Sequence, residues 1–396
     1  MNTIKIPEIL LPKDADLHKW AVNACDQYTS DYNYWREVER LTEGVPSAYN
    51  LIFPEIYLND KPEERIARIN ENMRGYLSGG IFKEITDGFI LVERTTQSGT
   101  RTGIVLSVDL EDYSFEKGAK TLIRSTEGTI PERIPPRVKI RENAVLELPH
   151  ATLLYDDGEN RVLNAVERGE VLYDFELMQG GGRVKGTYIK NAKAVIGALY
   201  SLADDCRSKY GGEELLFAVG DGNHSLAAAK TCWNSLKEKL SESERVNHPA
   251  RYALVEVINI FDPALNFEPI HRYIKTERVK EFADGFMTNG GRTAYIVVDG
   301  CKKPIAFDDE VPQGIKLADK YAYGFIEQYG GEIDYIHGEN DLTELTKKGG
   351  VGLLLPSINK DDFFGLIIRG GNLPRKTFSI GEGYEKRYYI ECKAIK

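Results

Sequence analysis

The sequence predicts an α+β (mixed α/β) fold. Three observations carry that expectation. Short β-prone runs and amphipathic helical stretches alternate as separate segments. Residues 215–230 read as a strand, a tight turn and a helix start. No internal repeat or low-complexity tract interrupts the pattern. With 396 residues, 42% of them apolar, the chain has enough material for a substantial core. We expect three parts: 1–180 as an N-terminal α/β part, 181–310 as a central core holding the Asp-Gly-Asn-His turn, and 311–396 as a C-terminal α/β part. Together they should make one composite body.

Taken in order, residues 14–40 read as helical with an interruption at 25–30, and 61–77 as a second helix. Residues 89–94 and 102–110 read as paired strands turning at Gln97, Ser98 and Gly99. Residues 123–141 contain Pro131, Pro135 and Pro136 and little periodicity, so a long ordered loop is expected. Strands are expected at 151–155 and 171–175, a flexible joint at Gly180, Gly181 and Gly182, and an amphipathic helix at 191–210. Residues 252–260 read as a buried strand. A helix is expected over 316–328, with strands near Ile333, Val351 and Phe363.

The formal net charge is −10, with 28% charged residues. That balance argues against nucleic acid as a partner, which needs a basic surface. No apolar run approaches the roughly 18 residues of a membrane span, and no secretory leader is visible at residues 1–11. Cys25, Cys206, Cys232, Cys301 and Cys392 are scattered and odd in number. They read as reduced thiols in a cytoplasmic protein, neither a disulfide framework nor a zinc site. Homo-oligomerisation stays open.

The chemistry points to residues 220–225, Gly-Asp-Gly-Asn-His-Ser. Glycines at 220 and 222 let a ligand approach the backbone. The first N–H groups of the following helix face it with the positive end of the helix dipole. Such a turn suits a phosphate, with the Asp221 carboxylate and the His224 imidazole beside it. The same residues also make an ordinary turn, with Ser225 as a helix cap. Other candidates are Glu127, Thr129, Arg133 and Arg137 in the proline-rich segment, His271 and Arg272, Lys376 beside Arg375, and Asp26. Residues 180–186 lack the Gly-Lys-Ser/Thr ending of a phosphate loop and read as a hinge or flap.

Five landmarks in this order resemble the family named domain of unknown function 1015. They are Cys25-Asp26-Gln27-Tyr28-Thr29-Ser30, Thr126-Glu127-Gly128-Thr129, Asp221-Gly222-Asn223-His224, Pro269-Ile270-His271-Arg272 and Leu373-Pro374-Arg375-Lys376-Thr377-Phe378. The turn is also similar to the phosphate-binding turn of the ParB/sulfiredoxin superfamily, which implies a core of that kind around the strand–turn–helix. Relatives there bind nucleotides, and some transfer phosphate from ATP or ADP to free serine. Asn223, Ser225 and Leu226 stand where many members have histidine, arginine and tyrosine, and Thr126 stands where many have histidine. Loss of the arginine removes a bidentate phosphate grip, so either another basic residue supplies that charge or the site binds something else.

The resemblance implies a nucleotide-dependent phosphotransferase acting on a small hydroxylated metabolite, free serine first among them. Asp221, His224 and Glu127 would be catalytic. Gly220, Gly222, Asn223, Ser225, Thr129, Arg133, Arg137, His271, Arg272 and Lys376 would bind nucleotide. Asp221 or Glu127 would hold Mg²⁺ with ATP or ADP. Two alternatives stand beside this reading: a non-catalytic nucleotide-binding regulator, and a hydrolase of a phosphorylated or amide substrate.

Overall fold

A computed structural model describes residues 2–396. The chain forms two compact units, one of residues 1–265 with 382–396, the other of residues 266–381. These boundaries fall elsewhere than the expected 180 and 310. Position 180 lies inside a hairpin, and the last fifteen residues return to the first unit.

The first unit is built on a ten-stranded mixed sheet. In chain order its strands are β1 (Ile4–Lys5), β2 (Phe89–Thr96), β3 (Gly99–Asp109), β4 (Tyr113–Ser114), β5 (Ile123–Ser125), β6 (Thr152–Tyr155), β7 (Arg168–Glu176), β8 (Arg183–Ile189), β9 (Phe217–Asp221) and β10 (Tyr252–Asn259). Their spatial order is β7-β8-β2-β3-β10-β6-β9-β5-β4, with β1 beside β3. Both faces are covered. Ile90 and Val92 point into one apolar cluster, while Phe89 and Leu91, one residue out of phase, point into another. That is the period of two a pleated strand imposes, and it explains why β2 and β10 read as nearly unbroken apolar runs.

The helices of this unit that matter for the site are α1 (Pro62–Ser78), α2 (Ile134–Arg141), α3 (Ala192–Lys209) and α4 (Asn223–Lys237). Helix α2 corrects the expected loop at 123–141. Pro135 and Pro136 fall in its first turn, where a backbone N–H has no intrahelical acceptor to lose. The expected joint at Gly180–Gly182 is the turn between β7 and β8. Leu177 N–H donates to Gly182 O at 2.7 Å, and Arg94 Nε donates to Gly181 O at 2.8 Å. A Cβ on Gly181 would lie 2.6 Å from the Tyr388 hydroxyl, so this glycine serves close packing.

The C-terminal residues add short antiparallel pairings to the first unit. Tyr388–Tyr389 pairs with Val22–Asn23, and Lys393–Ala394 with Leu146–Glu147. Arg94 reaches the carbonyls of Tyr384 and Lys386 from β2. Arg387 is buried between Glu256 and Glu391 and donates from Nε to Pro149 O at 3.1 Å.

The second unit is a six-stranded antiparallel sheet with helices. Its strands are β11 (Phe267–Lys275), β12 (Arg292–Val298), β13 (Cys301–Phe307), β14 (Glu332–His337), β15 (Val351–Leu354) and β16 (Phe378–Ile380), and its longest helix is α5 (Val311–Tyr329). The order is β13-β12-β15-β11-β14, with β16 against the start of β11. The strand expected near Phe363 is a helix, α6 (Lys360–Gly370). The Asn359 side chain caps it by accepting from Asp361 N–H, and Phe363, Phe364 and Ile367 form a buried stripe at helical spacing. No helix among the described residues is long and apolar enough to cross a membrane.

Candidate functional site

The turn after β9 forms as the sequence suggests, with one difference in its cap. Gly222, in the left-handed region at φ 76°, occupies the cap position of α4, and no side chain caps the helix. Ser225 therefore lies inside the first turn and is not the cap. A Cβ on Gly222 would lie 2.8 Å from Ala151 Cα, so only glycine brings the turn this close to β6. The Asp221 carboxylate accepts Gly222 N–H through Oδ1 at 2.9 Å, and its Oδ2 lies 3.3 Å from Lys386 Nζ.

The loop after β5 closes over the same turn. Ser125 Oγ lies 2.6 Å from Asn223 Oδ1 and 2.7 Å from Glu127 O. Ile130 N–H donates to His224 Nε2 at 3.2 Å, so a neutral His224 carries its proton on Nδ1. Thus Asp221, Asn223 and His224 stand with the segment holding Glu127 and Thr129. Arg133 is exposed, and its carbonyl accepts from Arg137 Nη1 at 2.7 Å. Arg137 points inward and forms an ion pair with Glu55.

On the other side of Lys386 lies a buried polar chain. His150, just before β6, has Nδ1 2.8 Å from the Tyr389 hydroxyl and Nε2 3.8 Å from Asp26 Oδ2. Cys25 N–H donates to the same hydroxyl at 3.2 Å. The imidazole thus presents Nδ1 to the Tyr389 hydroxyl and Nε2 to Asp26. Burial alone would raise the Asp26 carboxyl. His150, the amide of Gln27, Lys386 and Arg137 outweigh it and hold this carboxyl below its ordinary value. Glu55 shows the opposite balance: burial and the Asp26 charge push it up despite Arg137. The Cys25 thiol is pushed far up by burial and by Asp26 and Glu55, so it is no thiolate nucleophile.

His150, Tyr389, Lys386 and Glu55 are the site's residues that sequence reasoning missed. For Lys386 and Tyr389 the sequence signal is the run 386–393, where charged residues interleave with Tyr388, Tyr389 and Ile390; His150 and Glu55 carry none.

His271, Arg272 and Lys376 belong to the second unit. Arg272 is fully buried, and its five donors are all used: Nε and Nη2 to Asp319, Nη1 to Ile270 O and Lys376 O, Nη2 also to Arg375 O. It has no donor left for a phosphate. It ties the Pro-Arg-Lys segment to β11, which gives those two landmarks a shared structural reason. His271 Nδ1 accepts Leu355 N–H at 3.1 Å, and burial, then Arg272 and His337, lower it to about 4. The Lys376 side chain is exposed. Among the described residues, no three His, Cys, Asp or Glu side chains converge as a metal cage.

The family described as "Protein of unknown function (DUF1015)" matches residues 8–338, which spans four of the five landmarks. The chain belongs to this family. No curated protein matches the chain in sequence. Among solved structures, it overlaps a mutant free serine kinase in complex with ADP at 10% identity and a TM-score of 0.39, covering 72% of this chain and 91% of that one. A free serine kinase in complex with AMP overlaps at 11% identity and 0.39, covering 72% and 90%. A conserved hypothetical protein from Pyrococcus furiosus overlaps at 10% identity and 0.35, covering 72% and 94%. At these TM-scores the overlaps carry nothing about the chemistry of this chain.

Proposed function

We propose that this protein binds a nucleoside di- or triphosphate at the turn after β9 and transfers phosphate to a small hydroxylated metabolite. The single observation that carries this reading is Lys386. Its ammonium lies 3.3 Å from Asp221 Oδ2, beside an uncapped helix start, and is among the charges that lower the Asp26 carboxyl. Phosphoryl transfer asks a protein mainly for position and charge, and this arrangement offers both.

In this reading the N–H groups of Asn223, His224 and Ser225 and the Lys386 ammonium receive phosphate oxygens. Lys386 supplies the cation that the family pattern would place at Ser225. Arg137, committed to Glu55, contributes at longer range. Asp26 accepts the hydrogen of the acceptor hydroxyl, and His150 fixes its orientation. Mg²⁺ brings charge neutralisation to bound phosphates, and it binds through one or two carboxylates rather than a protein cage. Asp221 or Glu127 would be its protein ligand. Free serine is the first acceptor to try.

Asp26→Asn separates the steps. Turnover should fall by about 10² or more while nucleotide affinity stays within a few-fold. Turnover at the parent rate would remove Asp26 from the reaction.

A further inference from the structure

The Asp26–His150–Tyr389 chain borders a cavity of about 120 Å³ within the first unit. Cys25, His150, Ser225 and Tyr389 lie on its wall, so it is continuous with the polar site. The rest of its wall is mostly apolar, drawn from Leu51, Phe53, Met73, Ile140, Leu146 and Ala228 among others, with four charged residues between them. Those charged residues are matched with one another, Glu55 with Arg137 and Arg141 with Glu147. The cavity therefore holds its charges in pairs and offers a ligand mainly apolar surface.

We propose that this cavity receives the aliphatic body of the acceptor, a metabolite with a hydroxyl head and a hydrocarbon tail of about four or five carbons. An apolar cavity of about 150 Å³ accommodates benzene, so the smaller one here, about 120 Å³, suits a branched aliphatic side chain. The single methylene of serine would leave most of it empty. The hydroxyl head meets the polar part of the wall, Ser225, His150 and Tyr389, with Asp26 behind it at 3.8 Å from His150 Nε2. Which end of the ligand reacts rests on the phosphotransfer reading, whereas occupation of the cavity does not.

The test is calorimetric binding of ethanolamine, 2-amino-1-butanol, leucinol and phenylalaninol, with free serine alongside, to the full chain with saturating ADP. Affinity should rise by about fourfold per added methylene up to leucinol and drop at phenylalaninol. Ala144→Leu and, separately, Ile140→Phe should erase that rise by filling the cavity, with ADP affinity unchanged. A flat series, or a rise that survives in either folded variant, overturns the proposal. If the rise is found but none of these compounds is phosphorylated, the cavity assignment stands and the phosphotransfer reading falls. If serine is phosphorylated while the series is flat, the reverse holds.

Discussion

The Tyr389 hydroxyl lies 2.8 Å from His150 Nδ1, although 239 residues separate the two in the chain. That contact sets which imidazole nitrogen faces Asp26, and His150 is the leading group that lowers this carboxyl. Removing His150 should therefore raise Asp26. In His150→Gln, the acid limb of kcat/KM should move to higher pH, and Tyr389→Phe should reduce kcat by about ten- to a hundredfold, as for other groups that orient a catalytic side chain. A pH profile of both variants checks this. An unmoved limb in His150→Gln would disconnect the imidazole from Asp26.

Arg387 holds the C-terminal segment in place. It is buried between Glu256 and Glu391, with the Tyr173 hydroxyl also donating to Glu391. Arg387→Met leaves two carboxylates without their cation in the interior, and should lower stability by about 3–5 kcal/mol. Because the neighbouring residues include Lys386 and Tyr389, nucleotide affinity should fall as well. Urea unfolding with and without ADP measures both effects.

The second unit should carry its own pH dependence through His271. Its folded value is depressed from 6.5 to about 4. Between those limits the unfolded chain binds a proton that the folded chain does not. Stability should therefore be full above about pH 6.5 and decline as the pH falls towards 4, by on the order of 3 kcal/mol at most. His271→Gln should flatten that slope in unfolding free energies measured across the range.

The turn at 220–225 could be read in advance because its determinants are local: an apolar run, a glycine that must adopt positive φ, and a helix-forming run behind it. The same locality made β2, β3, α1, α3 and β10 readable. Where the reading failed, the cause was positional or long-range. Proline ends a helix in general, yet Pro135 and Pro136 sit where α2 has no N–H to lose. Phe363, Phe364 and Ile367 fit a short strand as well as a helix until Asn359 is seen to cap them. The sequence marks His150 only as an isolated histidine. Its role depends on a strand pairing between Val22–Asn23 and Tyr388–Tyr389 that no local pattern announces. Arg272 looked like a phosphate ligand because nothing in the sequence shows Asp319 and three carbonyls already using its donors.

The most direct measurement is phosphorus NMR of the full chain incubated with ATP or ADP, Mg²⁺ and either free serine or leucinol. The account predicts a new phosphomonoester resonance that grows as nucleotide phosphate is lost, and that falls by about 10² or more in rate with Asp26→Asn. Nucleotide that stays intact with every acceptor, in a sample that also shows no nucleotide binding by calorimetry, would contradict it.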